Sequence, residues 1–248
     1  MLNGKKIVLG VTGGIAVYKA VDLVSRLRKQ GAEVRVVMTE HAQQFVTPLT
    51  FKEISGNKVA VSMWEANQEF NVEHIALANW ADAFVVAPAT ANILAKMANG
   101  IADDLLSTTL LAAQAPIIVC PAMNTGMYQN PITQENIAKL QKHDVTVMPP
   151  AVGYLACGVT GPGRLPEPQQ IVEFIDNFFA KKDGDMVGLK VLVTAAGTRE
   201  PIDPVRFVGN RSSGKMGYAI AQAAAQRGAE VLLVSGPSAL EIPPNVKG

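Results

Sequence analysis

Cysteine and histidine are scarce in this sequence, whose 248 residues contain two cysteines, Cys120 and Cys157, and three histidines. No Cys/His spacing in the chain matches a zinc site, and two cysteines in a chain without a secretion signal are not expected to form a structural disulfide. The sequence therefore predicts no metal site. Cys120 ends an apolar stretch and is expected to be an inert core thiol.

The sequence also lacks a large net charge of either sign and a long apolar run. Lys and Arg total 22 against 21 Asp and Glu, so no broad basic surface is available for nucleic acid or for an anionic membrane. No apolar stretch is long enough to span a bilayer, and the first ten residues lack the apolar core of a signal peptide. We expect a cytoplasmic protein with a small-molecule substrate and without nucleic-acid or membrane partners.

The chain does contain a repeated alternation of apolar strands and amphipathic helices. Residues 6–11 predict a strand, Thr12-Gly13-Gly14 breaks it, and residues 15–30 have helical spacing. Further strands are predicted at residues 33–38, 83–87, 117–120 and 145–148. Such alternation predicts an α/β fold, a Rossmann-like (flavodoxin-like) parallel sheet with helices on both faces.

The C-terminal part predicts a second, smaller unit. Residues 149–168 are rich in glycine and proline and predict a long loop. The elements that follow are helix 171–180, linker 181–185, strand 190–194, helix 215–227 and strand 230–234. Two strands are too few to bury both faces of a parallel sheet, so we expect a first domain at 1–182 and the beginning of a second Rossmann-like domain at 186–248.

Glycines mark the point where the first strand leads into the first helix. Gly13, Gly14, Ile15 and Ala16 precede that helix, where backbone N–H groups and the helix dipole can hold a phosphate. The spacing is not G-x-G-x-x-G, and a tight turn also needs glycine. The motif alone leaves phosphate binding and an ordinary turn equally open.

Two other strand ends carry small or polar residues. Residues 88–92, Pro-Ala-Thr-Ala-Asn, would let a flat ring approach the backbone, although Thr90 equally suits a helix cap. Asn124, in Pro121-Ala122-Met123-Asn124, could donate its amide to a carboxylate or close a turn.

His74 and Cys157 are the candidates for proton chemistry. His74 begins a predicted helix that runs to Trp80, and imidazole transfers protons near neutral pH, but a lone histidine is more often structural. Cys157 lies in the glycine-rich segment 149–168, where it can reach a ligand.

Taken in order along the chain, these motifs resemble those of the homo-oligomeric flavin-containing cysteine decarboxylase family. The matching segments are Gly13 to Lys19, His74, Pro88 to Asn92, Pro121 to Asn124 with Met127-Tyr128, and Leu155 to Gly158. Thr198 to Asp203 and Asn210 to Gly217 resemble the start of the ligase domain in the bifunctional phosphopantothenoylcysteine decarboxylase/phosphopantothenate–cysteine ligases. The resemblance covers essentially the whole chain, with the ligase part truncated.

The resemblance implies FMN as the cofactor and a set of site residues. Its catalytic positions are His74, Asn124 and Cys157, and its substrate contacts are Asn124, Met127 and Ala156. The positions that line the FMN site are Gly13, Gly14, Ile15, Ala16, Thr39, Phe45, Pro88, Ala89, Thr90 and Ala91. Such proteins are homo-oligomers built on trimers, up to a dodecamer, with FMN at a contact between subunits.

The activity implied is decarboxylation of N-(4'-phosphopantothenoyl)-cysteine to 4'-phosphopantetheine in coenzyme A biosynthesis. Oxidised flavin accepts a hydride from the carbon that carries the thiolate, and carbon dioxide then leaves from the resulting thioaldehyde. The hydride returns while Cys157 supplies a proton, and His74 handles protons in the earlier steps.

Within the ligase part of the chain, the resemblance assigns four site residues: Asn210, Ser212, Ser213 and Lys215. Ser212, Ser213 and Lys215 open a predicted helix and suit a phosphate group, or simply cap the helix. Asn210 matches a residue that this ligase family uses on the activated acyl intermediate. The ligase of this family uses CTP with Mg²⁺ and needs a later lysine-containing loop. Residues 1–248 lack that loop, so we predict no ligase turnover by this chain.

Two other functions stay open. A flavin prenyltransferase would share the fold and the FMN, but we would expect it to lack the Cys157 segment and the ligase segment. A non-catalytic FMN-binding regulatory subunit would be expected to have lost His74, Asn124 or Cys157.

Overall fold

The computed structural model describes residues 2–64, 73–154, 158 and 160–248. The chain forms two compact units, Leu2–Phe174 and Ile175–Gly248. The strands and helices from the N-terminus onward are β1 Lys6–Val11, α1 Val17–Lys29, β2 Glu33–Met38, a 3₁₀ helix Glu40–Gln44, α2 Pro48–Ser55, β3 Val59–Ala60, α3 Glu73–Trp80, β4 Ala83–Ala89, α4 Ala91–Asn99, α5 Leu105–Ala112, β5 Ile117–Pro121, α6 Thr125–Gln129, α7 Pro131–Lys142, β6 Thr146–Val147, β7 Ala151–Tyr154, β8 Thr160–Arg164 and α8 Pro168–Asp183.

Six of these strands form one parallel sheet in the order β3-β2-β1-β4-β5-β6. The order reverses between β1 and β4, which are adjacent in the sheet. This is the doubly wound α/β arrangement, in which ligands bind in the crevice beyond the carboxyl ends of the two strands at the reversal. The predicted parallel sheet is confirmed.

Helices cover both faces because the strands are apolar on both sides. On one face, residues of α3, α4, α5 and α7 such as Leu77, Ile93 and Leu106 pack against Val8 and Val86 of the sheet. On the other face, α1 contacts β2 and β4, and its side chains Leu23, Val24 and Leu27 are buried. The strongly buried strands hold the loops at their carboxyl ends in fixed positions.

Strand β4 is longer than predicted. Ala89 pairs with Pro121, and its carbonyl oxygen accepts the N–H of Ala122 at 2.9 Å. Pro88 and Ala89 therefore belong to the strand, and Thr90 is the first residue after it.

The prediction of a long loop at residues 149–168 is wrong in part, because β7 and β8 form an antiparallel hairpin there. Glycine serves close packing in this hairpin. A Cβ on Gly161 would lie 2.6 Å from Oγ1 of Thr125, and one on Gly163 would collide with the carbonyl oxygen of Met123. Helix α8 also extends beyond the predicted 171–180 and includes part of the predicted linker.

The second unit contains β9 Lys190–Ala195, β10 Arg199–Pro201, β11 Phe207–Gly209, α9 Lys215–Gln226, β12 Glu230–Ser235 and β13 Val246–Lys247. Its parallel sheet has the order β13-β12-β9, and β10 pairs with β11 in an antiparallel ribbon. The ribbon and β13 were not predicted. Helix α9 packs on one sheet face around Ala221 and Val231, whereas Leu192 and Val234 of the other face are exposed.

No helix among the described residues combines the length and the apolarity needed to cross a membrane.

Candidate active site

Two adjoining cavities lie at the carboxyl ends of β1 and β4. The larger, of about 710 Å³, is lined by Gly13, Gly14, Ile15, Ala16, Tyr18, Lys19, Pro88, Thr90, Ala91, Ala122, Met123, Asn124, Met127, Tyr154, Gly163, Arg164 and Leu165. The smaller, of about 590 Å³, is lined by Thr12, Gly13, Thr39, Glu40, His41, Thr90, Ala91, Asn92, Ile93, Lys96, Asp103, Asp104 and Met127. Four lining residues are common to both, so the cavities form one continuous candidate site.

Exposed apolar side chains make much of the lining of the larger cavity apolar. Ile15, Tyr18, Met127 and Tyr154 line it and are 63, 60, 50 and 68% exposed. Large apolar side chains that line a concave site are typical of ligand-binding pockets. An aromatic ligand in this cavity would remove much of their surface from water.

The turn after β1 forms one side of the larger cavity. Helix α1 begins at Val17 and has no acidic side chain in its first turn, so the positive end of its dipole lies beside the cavity without a competing carboxylate. A Cβ on Gly13 would lie 2.5 Å from the Cβ of His41, whereas one on Gly14 would have only Cγ2 of Thr90 within 4 Å, at 3.9 Å. Gly13 is needed for packing, and Gly14 leaves its backbone open to a ligand.

Asn124 stands at the start of α6 and lines the larger cavity with Met127. Its Oδ1 accepts the N–H of Gly126 at 2.8 Å, as the N-cap of that helix. Because the oxygen is used as a cap, the nitrogen is the donating end of this amide. Both functions weighed for Asn124 from the sequence, the turn and the donor, are therefore compatible.

Thr90 has a similar double position. Its Oγ1 caps α4 by accepting the N–H of Ile93 at 3.4 Å, and the residue lines both cavities. Pro88 and Ala91 line the larger cavity as well, whereas Ala89 is fully buried and lines neither.

A buried cation that sequence reasoning left without a function also lines the larger cavity. Lys19 is 5% exposed, and its Nζ donates to the carbonyl of Leu165 at 3.0 Å and to Oε1 of Glu167 at 2.9 Å. Arg164 donates to the same carboxylate at 2.8 Å. The hydrogen bond from Lys19 lowers the pKa of Glu167. The ammonium thus links α1 to the segment that follows β8, across 146 positions of sequence.

The smaller cavity is polar. Thr39 lines it and caps the 3₁₀ helix by accepting the N–H of Ala42 at 3.3 Å. Lys96 donates to Asp103 at 2.6 Å and to Asp104 at 2.9 Å. Burial alone would raise the pKa of Asp104, but hydrogen bonds from Ser107 and Lys96 outweigh it and hold the pKa below its usual value. Asp104 is therefore held in its ionised form, and Lys96 pairs with both carboxylates.

Some predicted site residues lie elsewhere. His74 is half-buried in the first turn of α3, Phe45 is 50% exposed, and neither lines either cavity. Cys157 and Ala156 lie outside the described residues. Cys120 is fully buried as predicted, and burial raises the pKa of its thiol to about 12, so it stays protonated and inert.

The predicted ligase residues come together in the second unit, before α9. Oδ1 of Asn210 accepts the N–H of Ser212 at 3.1 Å, and Oγ of Ser212 accepts the N–H of Gly214 at 3.4 Å. The carbonyl of Ser213 accepts from Ser238 at 3.4 Å, and Lys215 is the first residue of α9. Among the described residues of the whole chain, no group of three or more His, Cys, Asp or Glu side chains is placed to hold a metal ion.

The fold and the cavity together define a doubly wound α/β protein that binds its ligand at the reversal of strand order. Residues 1–180 match the family model described as Flavoprotein, and residues 186–248 match the model of the DNA/pantothenate metabolism flavoprotein C-terminal domain. The chain therefore belongs to the flavoprotein family.

Similar full-length proteins are bacterial. The chain is 53% identical over 245 residues to the coenzyme A biosynthesis bifunctional protein CoaBC of Vibrio vulnificus, and 50% identical over 244 residues to that of Bacillus subtilis. These alignments cover 99 and 98% of the chain, but 61 and 60% of the relatives. The chain thus spans about three fifths of their length.

Solved structures give the same fold. A PPC decarboxylase mutant complexed with pantothenoylaminoethenethiol is 32% identical with a TM-score of 0.63, over 71% of this chain and 99% of that one. The FMN-dependent cysteine decarboxylase SpaF is 31% identical with a TM-score of 0.60, over 70% of this chain and 96% of that one.

Proposed function

We propose that this chain catalyses the FMN-dependent decarboxylation of N-(4'-phosphopantothenoyl)-cysteine to 4'-phosphopantetheine, a step of coenzyme A biosynthesis. One observation carries the proposal: a single cavity at the reversal of strand order is lined by Gly13 to Ala16, by Pro88 and Ala91, and by Asn124 with Met127. The cofactor and substrate positions implied by the sequence therefore meet. The names of the relatives support the same reaction.

The residues present fit FMN. The open backbone at Gly14 and the N-terminal end of α1 suit its phosphate, and the exposed apolar side chains Ile15, Tyr18 and Tyr154 suit a flat ring. When bound, the flavin supplies a reversible hydride acceptor, which the loss of carbon dioxide from a cysteinyl group requires. Thr39 and Phe45 remain proposed FMN contacts. Because Phe45 does not line the cavity of its own chain, it would have to contact the FMN bound to a neighbouring copy.

Asn124 binds and orients the substrate in this proposal. Its nitrogen donates to the cysteinyl carboxylate, while its oxygen is held by the N–H of Gly126. A neutral donor holds the carboxylate in place and, unlike a cation, does not strongly stabilise the negative charge that must move from the carboxylate to the rest of the substrate as neutral carbon dioxide leaves. Met127, one turn along, contacts the substrate and helps to exclude water.

His74 acts from a neighbouring copy of the chain in this proposal. It lines neither cavity of its own chain, yet the resemblance assigns it to proton transfer. The apolar side chains that line the larger cavity are exposed in a single chain, which supports their burial by a second subunit as well as by the ligand. We therefore propose a homo-oligomer, built on trimers, in which each site lies at a subunit contact.

Cys157 is the proposed proton donor in the last step, with Ala156 as a substrate contact. Both assignments rest on the resemblance of Leu155 to Gly158. Cys120 cannot replace Cys157, because its buried thiol lines neither cavity.

Residues 1–182 form the decarboxylase domain in this proposal, and residues 186–248 form the N-terminal part of a ligase domain. Asn210, Ser212, Ser213 and Lys215 would bind on the ligase side, and CTP with Mg²⁺ belong to the full-length ligase.

The proposal is tested by two measurements on the purified chain. We expect the visible spectrum of bound FMN after reconstitution, and release of carbon dioxide from phosphopantothenoylcysteine with formation of phosphopantetheine. FMN uptake without carbon dioxide release would instead favour a binding protein or a prenyltransferase relative. A chain that takes up no FMN contradicts the proposal outright.

Gly14→Ala is expected to weaken FMN binding without loss of stability. The new Cβ has space in the protein, but it projects where the ligand approaches the backbone. Because the close contact between FMN and this backbone would be lost, we expect the Kd for FMN to rise about tenfold or more. Fluorescence quenching of FMN on titration measures the Kd.

Gly13→Ala is the matched comparison for Gly14→Ala. Its Cβ would overlap the backbone and Cβ of His41, and such overpacking costs about 1–3 kcal/mol of stability. Thermal unfolding of the flavin-free proteins should therefore separate the two variants. A Gly14→Ala variant that binds FMN like the wild type would argue against this placement of the ligand.

A further inference from the structure

One buried hydroxyl connects two sides of the candidate site. Thr12 follows β1 directly and is 2% exposed. Its Oγ1 donates to the carbonyl oxygen of Pro88 at 2.7 Å and accepts the N–H of Thr90 at 3.1 Å. The two hydrogen bonds span 76 and 78 positions of sequence.

The groups bound by Thr12 flank Ala89. The carbonyl of Ala89 in turn accepts the N–H of Ala122 at 2.9 Å, and Ala122 precedes Met123 and Asn124 in the lining of the larger cavity. The ends of β1, β4 and β5 are therefore connected through Thr12 and one backbone hydrogen bond. All three strand ends carry residues that line the site.

We infer that Thr12 is a positioning residue, whose hydroxyl sets the distance between the Gly13 to Ala16 side and the Pro88 to Ala91 side of the cavity. This inference rests on the proposed function, because that function places the flavin between these sides. A hydroxyl suits the position because a single small oxygen both donates and accepts. Serine keeps this ability, whereas valine keeps the shape and loses both hydrogen bonds.

Loss of a buried hydroxyl also lowers stability, so the experiment needs a control for that effect. Thr109 supplies one. It is fully buried, and its Oγ1 donates to the carbonyl of Leu105 within α5 at 2.6 Å. Thr109 lines neither cavity, so Thr109→Val removes a comparable hydroxyl away from the site.

The experiment compares Thr12→Val, Thr12→Ser and Thr109→Val in the full chain. The Kd for FMN is measured by fluorescence quenching, and the unfolding midpoint is measured on flavin-free protein. We expect Thr12→Val to raise the Kd about tenfold or more, as the loss of two buried hydrogen bonds allows. Thr12→Ser should stay close to the wild type, and Thr109→Val should lower the midpoint without changing the Kd.

Two results would overturn the inference alone: an unchanged Kd for Thr12→Val, or an equal rise for Thr109→Val. If Thr12→Val does not fold, Thr12→Ala removes the same hydroxyl without placing a methyl group against the two backbone groups, and the same criteria apply. A wild-type chain that binds no FMN overturns the proposed function together with the inference. If the wild type binds FMN and Thr12→Val has the same Kd, only the inference about Thr12 is overturned.

Discussion

Asn124→Asp is expected to lower kcat/KM for phosphopantothenoylcysteine by at least about a hundredfold, because a donor that binds a carboxylate becomes a like charge. The substitution is nearly isosteric. The aspartate oxygen can still accept the N–H of Gly126, as Oδ1 of Asn124 does at 2.8 Å, and a negative charge at a helix N-terminus is favourable. We therefore expect the fold and FMN binding to persist while turnover is lost, as measured by carbon dioxide release and by FMN titration.

Asn130→Asp is the matched control. Asn130 caps α7 in the same way, with its Oδ1 accepting the N–H of Ile132 at 2.9 Å, but it lines neither cavity. Its aspartate variant should keep wild-type kcat/KM. Equal losses in both variants would show that the effect comes from capping or net charge and would remove Asn124 from substrate binding.

The central strands β1, β2, β4 and β5 of the first unit could be predicted because their signal is local, whereas the two-residue strand β3 was not predicted. Residues 6–11 and 33–38 are apolar and β-branched, and they form β1 and β2 with the predicted bounds. The two last residues of β4 could not be predicted, since Pro88 and Ala89 have no strand pattern and depend on pairing with β5. Long-range pairing decides such boundaries.

The hairpin of β7 and β8 shows why glycine misled the prediction. Gly161 and Gly163 were interpreted as loop formers, yet they allow the hairpin to approach Thr125 and Met123 closely. Sequence pattern alone does not separate a glycine that permits a turn from one that permits close packing. The difference comes from partner atoms of Met123 and Thr125, which are distant in the sequence.

The candidate site was predictable where residues lie in the turns that follow strands. Gly13, Thr90 and Asn124 follow β1, β4 and β5, and the topology of a doubly wound sheet brings such positions together. Tyr154 and Arg164 were missed because they belong to the hairpin, which was not predicted. Tyr18, on α1, lay inside a matched segment but was not assigned to the site. Thr12 and Lys19 were within quoted motifs, but their hydrogen bonds to distant carbonyls leave no local signal.

His74, like Phe45, is a predicted site residue that lines neither cavity of a single copy, and its assignment to proton transfer makes a strong test possible. His74→Asn and Asn124→Asp, purified separately, are both expected to be nearly inactive. If each site takes His74 from one copy and Asn124 from another, co-expression of the two variants should restore activity. With equal amounts and random assembly, about a quarter of all sites receive both intact residues, because each of the two copies at a contact carries the required intact residue with a probability of about one half.

The control is co-expression of His74→Asn with the double variant His74→Asn/Asn124→Asp. This mixture contains no intact His74, so it should stay at background whatever the assembly. Mixed oligomers carrying two different tags are isolated, and carbon dioxide release is measured per bound FMN. In a closed mixed trimer one of the three contacts pairs an intact His74 with an intact Asn124, so recovery to about a third of the wild-type rate is expected if the two residues of different copies meet in one site. Background activity in the isolated mixed oligomers would mean that they do not meet, and the subunit contact would then lose its proposed catalytic function.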